Sequence, residues 1–444
     1  MQVDRLSRAR AQQLGPAGVA AQVRALIPGV ESVSGQVREI LAQVQRDGDA
    51  AVLELTSRFD LKGEATRELL VSPSELDEAI KAMDREVIAG LQVAITNVAE
   101  VASSTAGIDF TTSLPQGHSV TLRELPVDSA AVYVPGGRAP YPSTAVMGVV
   151  TARAAGVLDV CVCSPPGPGA DIDPVVLGAC RLLGVERVYR MGGAQAIAAL
   201  AYGTQTVRRV DVIVGPGNLY VQEAKRQLSD RVGIDSIAGP SDLVVAFGGD
   251  ADLELVALDL LAQAEHGQGS LVVAVCPHEQ VLDELEMQLN RLGEGHAGIE
   301  NAAFSAVCSD DAADAVAIAD AIAPEHLELI GAEVEALAPT VRHAGCLFVG
   351  AGSATAFGDY VAGSNHILPT GGAARFSSVL NAGTFRRRMA EVRVPEESAR
   401  MLAAAAAPVA RAEGFELHAL SMLARAESQE ASEATSAQPM GENP

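Results

Sequence analysis

The stretch AAVYVPGG, residues 130–137, decides the fold class of this chain. An uninterrupted apolar run leads into paired glycines, which is typical of a strand that is buried on both faces and ends in a tight turn. The helical run STAVMGVVTARAAG at 143–156 follows, and DVCVCSP at 159–165 repeats the strand pattern. Because strands that alternate with helices form a parallel sheet between two helical layers, we predict an α/β fold.

The alternation continues along the chain and predicts two parallel-sheet units. We expect the helical region before residue 131 to complete the unit at 241–380. The segments are a helical N-terminal arm at 1–30, a first domain formed by 31–130 together with 241–380, a second domain at 131–240, a small helical segment at 381–426, and a polar, disordered tail at 427–444.

Composition and charge favour a cytoplasmic protein that binds neither nucleic acid nor a membrane. The 444 residues are 48% apolar and carry a formal net charge of −24. No run of Lys or Arg supplies the basic face of a nucleic-acid-binding protein. No segment resembles a signal peptide or approaches the roughly 20 apolar residues of a membrane span. The six cysteines lie in apolar runs without a zinc-type spacing, so we expect reduced, buried thiols.

Three glycine-containing turns follow successive predicted strands: YVPGG at 133–137, MGGAQ at 191–195 and GPGN at 215–218. Such turns gather at the carboxyl edge of a parallel sheet, where α/β proteins bind ligands. The glycines either make tight turns only or also accept a nucleotide. A G-x-G-x-x-G spacing at 293–298 follows a predicted helix instead of a strand, which is the wrong context for a phosphate-binding loop.

The segment LLAQAEHGQ, residues 260–268, places Gln263 and His266 on one face of a predicted helix. His266 falls in the last turn of that helix, before Gly267 as the expected C-cap. Its imidazole either interacts with the negative end of the helix or joins the amide oxygen of Gln263 as a metal ligand.

Two further segments carry side chains that could bind a metal or a substrate. The Gly-rich stretch FGDYVAGSNHILPTGG at 357–372 contains Asp359 and His366, and long loops of this kind are often functional. Glu413 and His418 lie five residues apart near the C-terminus. Spacing alone does not make these residues a metal motif.

The stretch APEHLELIG, residues 323–331, places Glu325 and His326 side by side at the mouth of a predicted strand. The pair is either part of a solvated loop or an acid/base pair. Two points support the acid/base interpretation. Chemistry usually takes place at the carboxyl edge of a parallel sheet, and His titrates near neutral pH.

Taken together and in order, these motifs resemble the histidinol dehydrogenase family. The matching stretches are YVPGG, GGAQA, GPGN, AGPSD, QAEHG, PEHL, GDYVAGSNHILPT and the terminal Glu-x4-His, which span about 131–418. The resemblance implies a homodimer with one zinc ion per subunit, two incomplete Rossmann-like domains and an intertwined interface. It also implies two successive NAD-dependent oxidations, from L-histidinol to histidinal and then to L-histidine.

The resemblance assigns roles to individual residues. It implies that His326 removes the alcohol proton, whereas Glu325 deprotonates the water that adds to the aldehyde. Tyr133, Gln195 and Asn218 would contact NAD. The implied zinc ligands are Gln263, His266 and Asp359, with His418 supplied by the partner subunit. The substrate would be contacted by Ser241, His366, Glu413, His326 and the four zinc ligands.

Two departures from the family pattern keep alternatives open. Asp242 stands where the family usually has Glu, and the terminal EGFELH at 413–418 is less typical than the interior motifs. The runner-up function is a paralogous zinc- and NAD-dependent alcohol dehydrogenase for another small polar diol or amino alcohol. A zinc hydrolase would use Glu325 without NAD, and a non-catalytic binding protein would not need the Glu325–His326 pair.

Overall fold

The computed structural model describes residues 3–27, 33–136, 139–237, 241–267 and 269–436. They fall into two compact units. The first unit comprises Met1–Ala106 and Val127–Phe385, and the second comprises Gly107–Pro126 and Arg386–Pro444.

The described residues contain fourteen strands. In chain order they are β1 (Val3–Leu6), β2 (Phe110–Ser113), β3 (Ser119–Pro126), β4 (Ser129–Tyr133), β5 (Asp159–Ser164), β6 (Val188–Arg190), β7 (Val212–Val214), β8 (Gly233–Ile234), β9 (Asp242–Phe247), β10 (Leu271–Cys276), β11 (Ala303–Cys308), β12 (His326–Ile330), β13 (Cys346–Val349) and β14 (Arg386–Arg393).

Sixteen α-helices accompany them in the described ranges. They are α1 (Arg8–Arg24), α2 (Ser34–Asp47), α3 (Asp49–Phe59), α4 (Pro73–Ala82), α5 (Arg85–Ser104), α6 (Pro142–Ala154), α7 (Pro174–Leu182), α8 (Gly193–Tyr202), α9 (Leu219–Leu228), α10 (Leu253–Ala264), α11 (Glu279–Gly293), α12 (Ala312–Ile322), α13 (Ala332–Glu335), α14 (Thr355–Tyr360), α15 (Glu396–Ala412) and α16 (Glu416–Ser436).

The first unit is built on two parallel sheets, which confirms the α/β prediction. A five-stranded sheet has the order β6-β5-β4-β7-β8, and a six-stranded sheet has the order β1-β11-β10-β9-β12-β13. Every residue of β9 and β10 is buried, which explains why these strands lack an apolar–polar alternation. β12 is buried throughout as well, although its sequence HLELI alternates. Helices α10 and α11 cover one face of the six-stranded sheet, and α1 and α12 cover the other.

The expected assignment of the helices at 34–104 is wrong. They do not complete the six-stranded sheet, whose two faces are already covered. Helices α2 and α3 instead pack with α8 on one face of the five-stranded sheet, while α4 packs on α7 and α5 on α6 at the other. An amphipathic stripe predicts that a helix buries one face, but it does not identify the sheet that receives it.

The predicted N-terminal arm also differs from the observed structure. Its first residues form β1, which extends the six-stranded sheet by pairing in parallel with β11. The short segment VDRL carries two charged residues and has no apolar strand pattern, so its pairing depends on the sheet edge beside it. The end of the arm, residues 28–30, lies outside the described residues.

The second unit contains an antiparallel sheet, in the order β14-β3-β2, and the helices α15 and α16. The segment predicted as helical at 381–426 therefore includes a strand, because β14 pairs with β3 over its full length. The tail predicted to be disordered from residue 427 continues α16 as far as Ser436. Its last eight residues, 437–444, lie outside the described residues.

Helix α5 meets the length and hydropathy of a membrane span, with 20 residues and a mean hydropathy of 1.3. It is the one such helix in the described part of the chain. Leu91, Ala94 and Val98 nevertheless form a buried stripe in the core beneath the five-stranded sheet. This spacing is that of a helix packed on a protein core.

Candidate active site at the amino edge of the six-stranded sheet

Glu325 and His326 lie at the amino end of β12, where the chain leaves α12. Ala323 ends that helix with a φ of 52°, a left-handed conformation that is uncommon for a residue with a side chain. His326 is the first residue of β12 and is paired in parallel register with Leu243 of β9. The expectation of a site at the carboxyl edge is therefore wrong for this sheet, because its amino edge carries the pair.

A chain of hydrogen bonds connects three of the expected site residues. The Nε2 atom of Gln263 donates to Ser241 Oγ at 2.7 Å, and Ser241 Oγ donates to Glu325 Oε2 at 2.5 Å. Gln263 and Glu325 are both buried. Helix α10 thus contributes an amide that fixes the serine, and the serine fixes the carboxyl group.

Burial dominates the electrostatics of Glu325. Loss of hydration, together with the charges of Asp242 and Asp359, raises its pKa to about 7, although His326 and the hydroxyl of Ser241 act in the opposite direction. A carboxyl group with this pKa can gain and lose a proton near neutral pH. The pair is consequently not the solvated loop that was one interpretation of its sequence.

His326 is buried between two carboxyl groups. Its Nε2 atom lies 3.5 Å from Asp359 Oδ1, and its Nδ1 atom lies 4.0 Å from Glu325 Oε2. Neither ring nitrogen has a well-formed hydrogen bond among the described residues. Burial alone would lower the pKa of His326, but the charges of Glu325 and Asp359 outweigh burial and raise it to about 9.

Asp359 and His366 lie on one structured segment, whose first part is the short helix α14 and not the predicted loop. The His366 ring contacts the Asp359 carbonyl oxygen through Nδ1 at 2.7 Å and Thr144 Oγ1 through Nε2 at 3.1 Å. Burial acts to raise the pKa of Asp359, but His326, His366 and His266 together outweigh burial, so the pKa is lowered. Burial likewise lowers the pKa of His366. Thr144 belongs to α6, so this segment is anchored to the helix that follows β4.

The donors expected to bind a metal are chemically suitable but incomplete in one chain. Because Gln263 Nε2 binds Ser241, the amide oxygen Oε1 is the atom that could act as a ligand. His266, which is exposed just beyond α10, helps to lower the pKa of Asp359. No group of three His, Cys, Asp or Glu side chains within the described ranges could hold a metal ion. By donor type alone, an amide oxygen, an imidazole and a carboxylate suit a zinc ion, and a tetrahedral site would need a further ligand.

The last two expected site residues belong to the second unit. Glu413 is the C-cap of α15, and His418 lies in the first turn of α16. Both side chains are exposed, and the His418 ring lies 5.1 Å from the ring of Phe415. Their participation in the site stays a prediction.

Two of the three expected cofactor residues, Tyr133 and Asn218, line a cleft of about 1150 Å³ at the carboxyl edge of the five-stranded sheet, and Gly193 lines it as well. The Tyr133 hydroxyl accepts a hydrogen bond from Gly193 N at 3.1 Å. Asn218 caps α9 by accepting from two backbone amides. Gln195 lies behind the cleft wall, where its amide donates at 3.2 Å to Asp60, a residue that lines the cleft.

Gly215 explains why one of the turns beside this cleft requires glycine. It has a φ of +115°, and a Cβ atom there would lie 2.1 Å from the carbonyl oxygen of Tyr133. Lys225 holds the same turn, since its Nζ atom donates to Gly215 O at 2.5 Å and to Asp235 Oδ1 at 2.7 Å. The turn is therefore fixed before any ligand binds.

Sequence reasoning missed four residues that support these sites: Asp60, Thr144, Lys225 and Arg24. Each acts through a partner that is remote in sequence or through a buried contact, and none belongs to a recognisable motif. Arg24 contacts Asp242, the position at which the sequence departs from the family pattern. The two side chains are paired at 2.7 Å.

Comparisons with known proteins extend over nearly the whole chain. Residues 28–426 match the family model described as histidinol dehydrogenase. The histidinol dehydrogenase of Cereibacter sphaeroides is 43% identical over 404 residues, covering 90% of this chain and 92% of that relative. The enzyme of Rhizobium meliloti is 41% identical over 401 residues, covering 89% and 92%.

A solved structure gives the same result for the fold. The crystal structure of histidinol dehydrogenase from Elizabethkingia anophelis matches with a TM-score of 0.87 and 28% sequence identity. The match covers 96% of this chain and 99% of that chain.

Proposed function

The chain belongs to the histidinol dehydrogenase family, and we propose that its Glu325–His326 pair carries out both oxidations of L-histidinol. Members of this family are NAD-dependent oxidoreductases of the last step of histidine biosynthesis. The chain has that function, and the relatives favour it over a paralogous dehydrogenase for another alcohol. The individual site residues, the zinc ion, the cofactor contacts, the dimer and a cytoplasmic location are parts of the proposal.

One observation carries the proposed mechanism: a buried carboxyl group with a pKa of about 7 stands beside a buried imidazole. Groups of this kind are suited to proton transfer near neutral pH. The two side chains are adjacent in sequence and lie at one edge of the sheet. A purely structural pair would not require a buried imidazole whose two ring nitrogens lack well-formed hydrogen bonds.

In the first oxidation, His326 takes the hydroxyl proton of L-histidinol while a hydride passes from the same carbon to NAD. The products are histidinal, NADH and one proton. His326 must be neutral for this step, yet the charges of Glu325 and Asp359 favour its protonated form. A metal ion held in part by Asp359 would offset one of those charges.

In the second oxidation, Glu325 deprotonates a water molecule as its oxygen adds to the aldehyde carbon. The protonated His326 returns its proton to the former carbonyl oxygen, which gives a gem-diol and leaves His326 neutral. His326 then takes a diol hydroxyl proton while the second hydride leaves to a new NAD. Ser241 would hold the Glu325 carboxyl in place, since its hydroxyl donates to Oε2. One base thus serves both hydride transfers, and the carboxyl group is needed only for the water step.

The cleft at the carboxyl edge of the five-stranded sheet is the proposed NAD site. Tyr133 and Asn218 line it, and Gln195 would shape it through Asp60. The segment that carries His366 is bound to Thr144 at the start of α6. Because α6 begins just after Ala139 and Pro140, which line the cleft, this bond connects the cleft to the segment of Asp359 and His366 and supports a nicotinamide position close to His326.

Gln263, His266 and Asp359 would hold zinc together with His418 of the partner subunit. Zinc supplies a Lewis acid that can bind the amine and imidazole nitrogens of the substrate. Ser241, His366 and Glu413 would add polar contacts to that substrate. Retention of the bound aldehyde between the two oxidations follows from such contacts.

The test is the yield of NADH from purified protein and L-histidinol. The proposal predicts two NADH for each histidinol consumed, with L-histidine as the product. NADH from other alcohols but not from histidinol would identify a paralogue with another substrate. No NADH from any alcohol in the metal-loaded protein would contradict the dehydrogenase mechanism.

A further inference from the structure

We infer that Arg24 is a positioning residue that holds Glu325 in place for the water step, through the buried carboxylate of Asp242. The inference rests on the role proposed for Glu325. It concerns a residue of the N-terminal helix α1, far from Glu325 in sequence and outside every motif of the site.

Arg24 binds Asp242 through both ends of its guanidinium group. Nη1 donates to Oδ2 at 2.7 Å, and Nη2 lies 3.3 Å from Oδ1. The side chain of Asp242 is fully buried, whereas that of Arg24 is 20% exposed. A two-pronged arginine–carboxylate contact fixes orientation as well as distance.

Asp242 in turn holds Glu325 at two points. The backbone N–H of Glu325 donates to Asp242 Oδ1 at 2.7 Å, and the backbone N–H of Asp242 donates to Glu325 Oε2 at 3.1 Å. The first bond places the main chain of Glu325, and the second places its carboxyl group. A displacement of Asp242 would therefore also displace the Glu325 carboxyl oxygen that accepts the hydrogen bond from Ser241.

Arg24 also holds the turn that delivers Glu325 to the site. Nη2 donates to Ile322 O at 2.8 Å and to Ala323 O at 3.1 Å. These carbonyl groups end α12, where a cation is favourable. Ala323 has the left-handed φ of 52° and stands two residues before Glu325. Such a conformation persists only where its surroundings fix it, and Arg24 provides three of those bonds through its guanidinium group.

The charges around Glu325 give the inference an electrostatic consequence. Asp242 and Asp359 disfavour its ionised form, whereas His326 favours it. Arg24 offsets the charge of Asp242, because it is paired directly with that carboxylate. Without the guanidinium group, Asp242 would act on Glu325 uncompensated, and more of the carboxyl would be protonated at a given pH.

The test compares the two half-reactions in Arg24→Gln, Arg24→Lys and the wild type. The first NADH formed from L-histidinol reports alcohol oxidation, and NADH formed from supplied histidinal reports the water step and second oxidation. We expect Arg24→Gln to slow histidinal oxidation roughly tenfold or more relative to alcohol oxidation, because small errors in a general base cost large factors in rate. The acidic limb of the pH profile of Arg24→Gln should move to higher pH. In Arg24→Lys, both the rate of histidinal oxidation and the position of this limb should lie between those of Arg24→Gln and the wild type.

Arg5→Gln is the matched control. Arg5 belongs to the same N-terminal segment, is 26% exposed, and pairs with Asp283 at 2.7 Å and Glu286 at 2.8 Å. The control removes a comparable ion pair that does not contact Asp242. We expect the ratio of the two half-reactions to stay at the wild-type value in this variant.

Glu325→Gln, measured in parallel, separates failure of this inference from failure of the proposed function. If Glu325→Gln slows both half-reactions equally, the proposed water role is wrong. If it selectively slows histidinal oxidation but Arg24→Gln slows both equally, or leaves the pH profile unmoved, the positioning role is overturned. Should Arg24→Gln not fold, the ratio and the pH profile of Arg24→Lys decide by the same criteria.

Discussion

Glu325 illustrates how a single position acquires chemistry from its surroundings. Its side chain is buried, hydrogen-bonded by Ser241 and Asp242, and adjacent to His326. Burial has the largest effect on its pKa, which it raises. The same carboxyl in water would be ionised at every physiological pH and would be a weaker base.

The pH dependence of histidinal oxidation should report this carboxyl. Because only the carboxylate can take a proton from water, Glu325 should contribute a limb that rises with pH through about 7, its pKa, separate from the limb of His326, which must also be neutral. Glu325→Gln should remove this limb from the profile of the remaining activity. If the pH profile of Glu325→Gln still rises through the same pH, the titrating group is not Glu325.

At this scale the sequence could predict the pair but not its supports. Glu325 and His326 are neighbours, so their proximity needs no fold. Arg24 meets Asp242 across 218 residues, and Thr144 meets His366 across 222. Contacts over such distances arise from the packing of α1 and α6, and no local pattern encodes them.

At the scale of elements, β12 connects three parts of the site. It begins with His326, and two residues later Glu328 accepts a hydrogen bond at 2.7 Å from the backbone N–H of Thr355. Thr355 is the first residue of α14, the helix that carries Asp359. Glu328 also faces Asp259 of α10. The charge of Asp259 adds to burial in raising the pKa of Glu328, whereas burial raises the pKa of Asp259 and its hydrogen bond with Glu328 acts in the opposite direction.

Glu328→Gln should increase the free energy of unfolding at alkaline pH. Burial raises the pKa of Glu328 to about 7, so the folded state retains its proton more tightly than the unfolded chain does. Its contribution to stability is fully present below about pH 4.5 and is lost as the pH rises through about 7. Glutamine keeps the acceptor for Thr355 but cannot ionise. The free energy of unfolding should therefore increase by roughly 1–3 kcal/mol at pH 8.

Denaturant unfolding at pH 8 and at pH 4.5 measures this effect. The gain of Glu328→Gln over the wild type should largely disappear at the lower pH. Thr355→Val, which removes the hydroxyl that also donates to Glu328, should lose stability at both values. A gain for Glu328→Gln that is independent of pH would contradict the assignment to ionisation.

Lys225 of α9 stabilises a turn beside the proposed cofactor cleft. Its ammonium group and Asp235 fix both polar atoms of Gly215, since Gly215 N donates to Asp235 Oδ2 at 2.7 Å. Lys225→Met should free this turn and raise the KM for NAD by roughly tenfold or more, with a smaller effect on kcat. Arg226→Gln, an exposed neighbour on α9, is the control and should leave the KM for NAD near the wild-type value. An unchanged KM in Lys225→Met would contradict a role for this turn in cofactor binding.

The element scale also shows why sheet direction misled the sequence analysis. The rule that ligands bind at carboxyl edges fits the cleft beside Tyr133, because Tyr133 is the last residue of β4. It does not fit Glu325, which precedes β12. The sequence predicts each parallel sheet. It does not predict which edge of a sheet will meet the helices of the other sheet, because that depends on tertiary packing.

At the scale of the whole molecule, the two sheets could be predicted and the distribution of the remaining chain could not. Near-continuous apolar runs such as LVVAVC in β10 mark central strands. The charged segment VDRL in β1 gives no such signal, because an edge strand depends on the neighbour that it joins. Helices α2 to α5 carry clear apolar stripes, but a stripe does not specify which of two sheets it covers.

A site completed by a partner subunit makes a prediction about mixed oligomers. His418→Ala and Gln263→Ala should each be nearly inactive alone, because each lacks a proposed zinc ligand. In a heterodimer, one site would combine Gln263 of one subunit with His418 of the other and would be intact. Equal mixing should therefore restore about a quarter of the wild-type activity if subunits exchange at random. Verified heterodimers without recovered activity would contradict a shared site.

The most direct measurement of the central claim is the yield of NADH per active site in a single turnover of Glu325→Gln with L-histidinol. The account predicts one rapid equivalent at close to the wild-type rate, followed by a second that is slowed roughly a hundredfold or more, with histidinal accumulating between them. The wild type should release both equivalents rapidly, and His326→Ala should slow both. Two equivalents slowed to the same extent in Glu325→Gln would contradict the claim that this carboxyl group serves only the water step.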